Sequence, residues 1–163
     1  MSGASDAALE ALYRDKYQRF LRAATAIANS REAGRDAVHD AFVAALRKKS
    51  TYRGEAPLEA WMWRIVVRCA LRRRAPARER QSRADLPDTI WADPSPNGYG
   101  DLRAAIARLP RRQRVALFLR YYGDLEYRTI AEVMSITPGA VGAELNAAHR
   151  ALRTLLEEVP SHG

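Results

Sequence analysis

Residues 126–153 read EYRTIAEVMSITPGAVGAELNAAHRALR, a short helix, a tight turn and a second helix. In the first segment Ile130, Val133 and Met134 keep helical spacing. Ser135-Ile136-Thr137 supplies the turn. Thr137 is placed to cap the next helix, with Pro138 at its first position, where a missing N–H costs nothing. Along that second helix Val141, Leu145, Ala148 and Leu152 recur at steps of four, three and four and form one apolar stripe. This is the layout of a helix-turn-helix, whose second helix enters the DNA major groove. A plain helical hairpin in a bundle carries the same pattern.

Upstream, Leu102, Ile106 and Leu109 mark a short helix with Asp101 as the expected cap. Pro110 opens another, RRQRVALFLRYYG, with Val115, Leu119 and Tyr122 inward and Gly123 at its stop. Downstream, Leu155, Leu156 and Val159 carry the last helix almost to the end of the chain.

Residues 75–100 have a different composition. Pro76, Pro87, Pro94, Pro96, Gly98 and Gly100 interrupt any periodicity, so the stretch is expected to be a flexible linker, with Trp91 a candidate for docking. It divides the chain into 1–75, 76–100 and 101–163. The expected fold is all-α: two small helical domains joined by that linker, the second a helix-turn-helix.

The first domain reads as three helices. The first, about Ala7 to Ala28, buries Leu9, Leu12, Tyr13, Tyr17, Phe20, Leu21, Ala24 and Ile27. Asn29-Ser30 breaks it, and Ser30 caps the second, about Arg31 to Lys48, with Glu32 in its first turn. Its buried stripe is Ala37 or Val38, Ala41, Phe42 and Ala45. Off that stripe Asp36 and Asp40 stack four residues apart and repel one another. Either Arg35, Arg47 or Lys48 neutralises them, or they meet a basic partner surface. After a polar loop with Tyr52, Arg53 and Gly54, Pro57 opens the third helix, LEAWMWRIVVRCALRRR. Leu58, Met62, Ile65, Val66 and Cys69 form its core stripe. Trp63 is expected to be buried. Trp61, Arg64, Arg68 and Arg72 share an adjacent arc, where a ring can stack a base and guanidinium groups can hold phosphates.

The charge distribution agrees with a polyanionic partner. Of the net +8, residues 61–83 hold +7, against +2 for 1–60, −3 for 84–100 and +2 for 101–163. A solvated basic helix end is the plainer account of the same block. No apolar run nears the roughly 20 residues of a membrane span, so no membrane insertion is expected. The start, MSGASDAALEALYRDKY, lacks the charged and apolar regions of a signal peptide. The single cysteine, Cys69, excludes an internal disulfide and fits a cytoplasmic location. His39, His149 and His162 lie in unrelated contexts and Cys69 has no spaced partner, so no metal, cofactor or catalytic site is expected.

In this order the elements resemble the extracytoplasmic-function, or group IV, sigma factors of the bacterial sigma-70 family, from about Leu9 to Leu156. ALYRDKYQRFLRAA, SREAGRDAVHDAFVAAL and YRGEAPLEAWMWRIVVRCALRRR look like region 2. LPRRQRVALFLRYYGDLEYRTIAEVMSITPGAVGAELNAAHRALR looks like region 4. The resemblance implies a factor that binds core RNA polymerase and directs promoter-specific initiation without being an enzyme. It places Asp36 and Asp40 on the polymerase clamp helices. Tyr52, Arg53, Trp61, Arg64, Arg68 and Arg72 fall at the melted minus-ten element, where a flipped-out base is held. Arg128, Thr129, Thr137, Gly139, Ala143, Asn146 and Arg150 fall at the duplex minus-thirty-five element. An anti-sigma factor is the regulator the family leads one to expect. Two departures stand out. Arg68 and Arg72 replace the family's usual Asn and Asp. The recognition helix, Val141-Gly-Ala-Glu-Leu-Asn-Ala-Ala-His149, lacks the usual basic and hydroxyl side chains, and Glu144 is expected to repel the DNA backbone unless it accepts from cytosine. Weak minus-thirty-five reading is therefore expected, by helix N-terminal N–H groups and DNA shape. The alternative is a degenerate sigma-like adaptor or antagonist that binds polymerase without directing initiation.

Overall fold

The computed structural model describes residues 3–74 and 99–157, and over them the chain is helical. Seven α-helices follow in order: α1 (Asp6–Ala28), α2 (Arg31–Lys48), α3 (Leu58–Arg73), α4 (Tyr99–Ala107), α5 (Arg111–Tyr121), α6 (Tyr127–Met134) and α7 (Pro138–Glu157). A 3-10 turn, Lys49–Thr51, follows α2.

Local chemistry sets these limits. The Ser5 hydroxyl accepts from the N–H of Ala8 at the start of α1, and Ser30 accepts from Ala33 at the start of α2. Asn29 between them takes the left-handed conformation, with φ 58°. Gly34 makes the α1–α2 crossing possible. A Cβ there would stand 2.5 Å from Thr25 Oγ1 and 2.6 Å from Thr25 Cα, so a side chain would force the helices apart.

In the N-terminal unit α1, α2 and α3 pack on one another. Leu9, Phe20, Ile27, Ala37, Val38, Ala41, Ala45, Met62, Val66 and Cys69 are buried. Phe42, Leu58 and Ile65, expected inside, are only half-buried, and Phe42 stacks on Tyr13 with ring centroids 4.4 Å apart. Trp63 is wholly buried and meets Phe20 edge-on at 4.6 Å. Its far edge faces Gly123 of the other unit, where a Cβ would come within 3.2 Å of the ring.

In the C-terminal unit α7 packs against α4, α5 and α6. Val141, Leu145, Ala148 and Leu152 are its buried stripe, as their spacing requires. One terminus assignment changes, and one stop holds for a different reason. The first helix of this unit already includes Tyr99, so Asp101 lies inside it and not at its cap. The chain after α5 turns at Asp124, with φ 55°, one residue beyond Gly123. Gly123 is needed there for close approach and not for a left-handed turn. Trp91 and Val159 lie outside the described residues.

The buried side chains of both units form one continuous cluster, with α3 against α6 and α1 against α5. Among the described residues no helix is long and apolar enough to cross a membrane. No group of three or more His, Cys, Asp or Glu there is arranged to hold a metal ion.

Candidate nucleic-acid interface

Three surfaces carry the residues singled out in the sequence. The first is a cleft at the start of α3. The 3-10 turn is tied back by Thr51 Oγ1 donating to the carbonyl of Lys48 at 2.6 Å. Gly54, at φ 78°, lets the loop reverse. The Tyr52 hydroxyl donates to the carbonyl of Ala56, which holds the phenol against Trp61, ring centroids 5.5 Å apart and tilted by 55°. Thr51, Tyr52, Arg53, Trp61, Arg64 and Glu132 are among the walls of a cavity of about 290 Å³. Two rings and two guanidinium groups around one opening suit a stacked base with phosphates alongside. Arg68 and Arg72 continue this arc towards the end of α3, both exposed, with Arg72 resting 3.2 Å from Cys69 Sγ. Cys69 itself is a core residue.

The second surface is the acid pair. Asp36 and Asp40 lie together on α2, but their partner is none of Arg35, Arg47 or Lys48. Arg73, from the last turn of α3, reaches both carboxylates, with Nε 2.6 Å from Oδ2 of Asp40 and Nη1 3.6 Å from Oδ2 of Asp36. The hydrogen bond that Arg73 donates to Asp40, then the charge of Asp40, holds the guanidinium pKa above its ordinary value. Spacing along one helix could not disclose a partner that comes from another. Next to it, Arg74 donates to the carbonyl of Ile27 at 2.7 Å and ties the end of α3 to α1.

The third surface is the helix-turn-helix. Ser135 turns the chain at φ 59°. Thr137 Oγ1 accepts from the N–H of Ala140 at 3.0 Å and caps α7. Gly139, Ala143, Asn146, His149 and Arg150 form the exposed face of α7, and Arg128 is exposed at the start of α6 with Thr129 half-buried beside it. Glu144 departs from expectation. It is turned towards α5, 3.7 Å from Arg112, with its side chain only 23% exposed. The neighbouring cation offsets the charge that was expected to oppose DNA. Sequence reasoning also passed over two aromatic contacts here. The Tyr121 hydroxyl lies 3.0 Å from Nε2 of His149, and Arg120 sits 6.0 Å from the ring centre of half-exposed Tyr127.

The family model for "Sigma-70, region 4" matches residues 99–155. Among curated relatives, RNA polymerase sigma factor SigV of Bacillus subtilis is 25% identical over 144 residues, 87% of either chain. The ECF RNA polymerase sigma-E factor of Escherichia coli is 27% identical over 135 residues, 72% of this chain and 70% of that one. RNA polymerase sigma-H factor of Pseudomonas aeruginosa is 28% identical over 156 residues, 78% of this chain and 77% of its own. Among solved structures, CnrH in complex with the cytosolic domain of CnrY aligns over 94% of this chain and 90% of its own, with TM-score 0.67 and 20% identity. Bartonella quintana RpoE, in complex with the anti-sigma factor NepR, aligns over 92% of both chains with TM-score 0.57 and 22% identity.

A capped helix-turn-helix tethered to a second helical unit is the build of a DNA-binding transcription factor. The chain carries a sigma-70 region 4 over residues 99–155 and is similar along most of its length to extracytoplasmic-function sigma factors. It is a non-enzymatic initiation factor that works with RNA polymerase, and its region 4 is the promoter-binding helix-turn-helix.

Proposed function

We propose a division of labour along the chain. Residues 1–75 act as region 2, residues 76–100 as a connector and residues 101–163 as region 4. Asp36 and Asp40 dock on a basic surface of the polymerase's largest subunit. Tyr52, Arg53, Trp61 and Arg64 accept an unstacked base of the minus-ten element, while Arg68 and Arg72 track its phosphates. Arg128 and Thr129, with Thr137, Gly139, Ala143, Asn146 and Arg150, meet the duplex minus-thirty-five element. The observation that carries this reading is the Tyr52–Trp61 cleft with two arginines on its walls, on the same chain as the capped recognition helix.

On the face of α7 that carries Gly139, Ala143, Asn146 and Arg150, Asn146 and Arg150 are the side chains able to bond base edges or phosphates directly, and His149 is engaged by Tyr121. Region 4 therefore contributes position more than sequence discrimination. The protein acts in the cytoplasm, where its polymerase is, and an anti-sigma factor holds it silent, as the NepR complex of the Bartonella relative illustrates for that protein.

The test is run-off transcription on a genomic library with bacterial core polymerase, with and without the protein, followed by start-site mapping. New starts sharing an upstream sequence are expected. Core binding without new starts would favour an adaptor that occupies polymerase silently, a second reading supported by the small side chains Gly139 and Ala143 at the centre of the recognition face.

A further inference from the structure

The loop that carries Tyr52 and Arg53 is held by the residues that precede α1. The N–H of Gly3 donates to the carbonyl of Tyr52 at 2.6 Å, and the N–H of Ala4 to the carbonyl of Lys49 at 2.9 Å. Lys49 Nζ meets Oδ1 of Asp6 at 2.5 Å, across 43 positions of sequence. Ala4 packs against the buried cluster, which fixes the segment to the body of the N-terminal unit. Gly3 reaches its acceptor at φ 111°, a conformation that residues with side chains rarely adopt. A Cβ there would stand 3.6 Å from the carbonyl oxygen of Lys49, an ordinary contact. Glycine is therefore required by direction and not by room.

Tyr52 is pinned at both ends. Gly3 holds its carbonyl, and its own hydroxyl donates to the carbonyl of Ala56. Beyond it the loop is loosely packed: Arg53, Gly54 and Glu55 are exposed, and a Cβ at Gly54 would meet nothing within 4 Å. The position of this stretch rests on its ties more than on packing.

We propose that Gly3 and Ala4 are positioning residues for promoter opening, a brace that sets the Tyr52 ring and Arg53 where a flipped-out base enters and so sharpens the choice of that base. This rests on the reading of the Tyr52–Trp61 cleft as the strand-binding site. A cleft ordered beforehand loses less freedom when it closes on a base that fits. The backbone bonds carry the brace. The Lys49–Asp6 pair adds little, since its side chains are 40% and 67% exposed. Gly3 is exposed as well, so water can replace its acceptor and the bond contributes little to global stability. Its effect is local.

The test compares holoenzymes assembled from bacterial core polymerase and the full chain, as wild type, Gly3→Pro or Trp61→Ala. Proline lacks the N–H and cannot take a positive φ. Each holoenzyme is offered a random-sequence pool of short single-stranded DNA, and the bound fraction is sequenced, with core polymerase alone as background. The wild type should enrich a motif with one strongly preferred base. Gly3→Pro should flatten that preference about three- to tenfold, with thermal unfolding, core affinity and the salt dependence of binding unchanged. An unchanged base preference in Gly3→Pro overturns the proposal. So does a preference lost together with core binding or cooperative unfolding, which would make Gly3 a part of the fold alone. Trp61→Ala reports on the cleft reading and should abolish the preference. A wild type without any preference, or a preference that survives Trp61→Ala, removes the cleft reading and the brace with it. Where Trp61→Ala abolishes the preference and Gly3→Pro spares it, the cleft stands and only the brace fails.

Discussion

Arg73 at the end of α3 spans two carboxylates on α2, with Nε 2.6 Å from Oδ2 of Asp40. All three side chains are roughly half exposed, so the contact tunes a surface more than it stabilises a fold. Arg73→Ala should leave thermal melting nearly unchanged while baring two negative charges. Association with core polymerase should then accelerate about two- to fivefold at low salt, an advantage that fades as salt screens it. Asp40→Asn should act in the opposite direction. Stopped-flow binding to labelled core polymerase reads both.

Among the described residues Trp63 is the largest fully buried side chain. Trp63→Ala should cost about 3–5 kcal/mol, the usual loss for an emptied aromatic site. Cooperative melting followed by circular dichroism should weaken or vanish in that variant, with Trp63→Phe intermediate.

Thr137 acts through one oxygen. Thr137→Ala removes the acceptor for the Ala140 N–H and should destabilise the helix-turn-helix by about 1 kcal/mol, while Thr137→Ser should melt like the wild type. Hydrogen exchange along the first turn of α7 distinguishes the two.

The Arg112–Glu144 contact sets a cation against the charge expected to oppose DNA. Glu144→Gln should change promoter affinity by less than about twofold. Arg150→Ala, in contrast, should reduce the slope of log affinity against log salt by about 0.9, the value for one lost phosphate contact. A titration of labelled promoter duplex at several salt concentrations measures both.

Tyr13 gives a pH signature. Burial, and then the neighbouring Tyr17, raises its phenol above the ordinary value of 10.0. The folded chain thus holds this proton more tightly than the unfolded one, so the stabilisation is complete below pH 10 and is lost as pH rises through the folded value. Tyr13→Phe should flatten the alkaline limb of a stability–pH curve measured by urea unfolding.

Periodicity and capping residues disclosed the helices with little error because those signals are local. Ser30, Pro110, Thr137 and Pro138 all stand where a helix begins. The buried stripe of α7 followed for the same reason. What the sequence could not reveal was every contact between segments distant in the chain: Arg73 with the acid pair, Glu144 with Arg112, Arg64 with Glu132 and Trp63 with Gly123. Arg64 and Trp61 were legible as one arc of a helix. That α6 completes the cleft around them was not, because the 24 residues between Arg74 and Tyr99 leave the placement of the second unit open to the linear code.

One helix carries both the anchor of the acid pair and the ring of the cleft. Trp61 and Arg73 are 12 positions apart on α3, which an unbroken helix converts to about 18 Å at 1.5 Å per residue. α3 is thus a ruler as well as a wall. On the proposed reading, the span from the acid pair that polymerase grips to the cleft that takes the melted base is set by backbone geometry, so the place of melting is measured from the enzyme and not from the second promoter element.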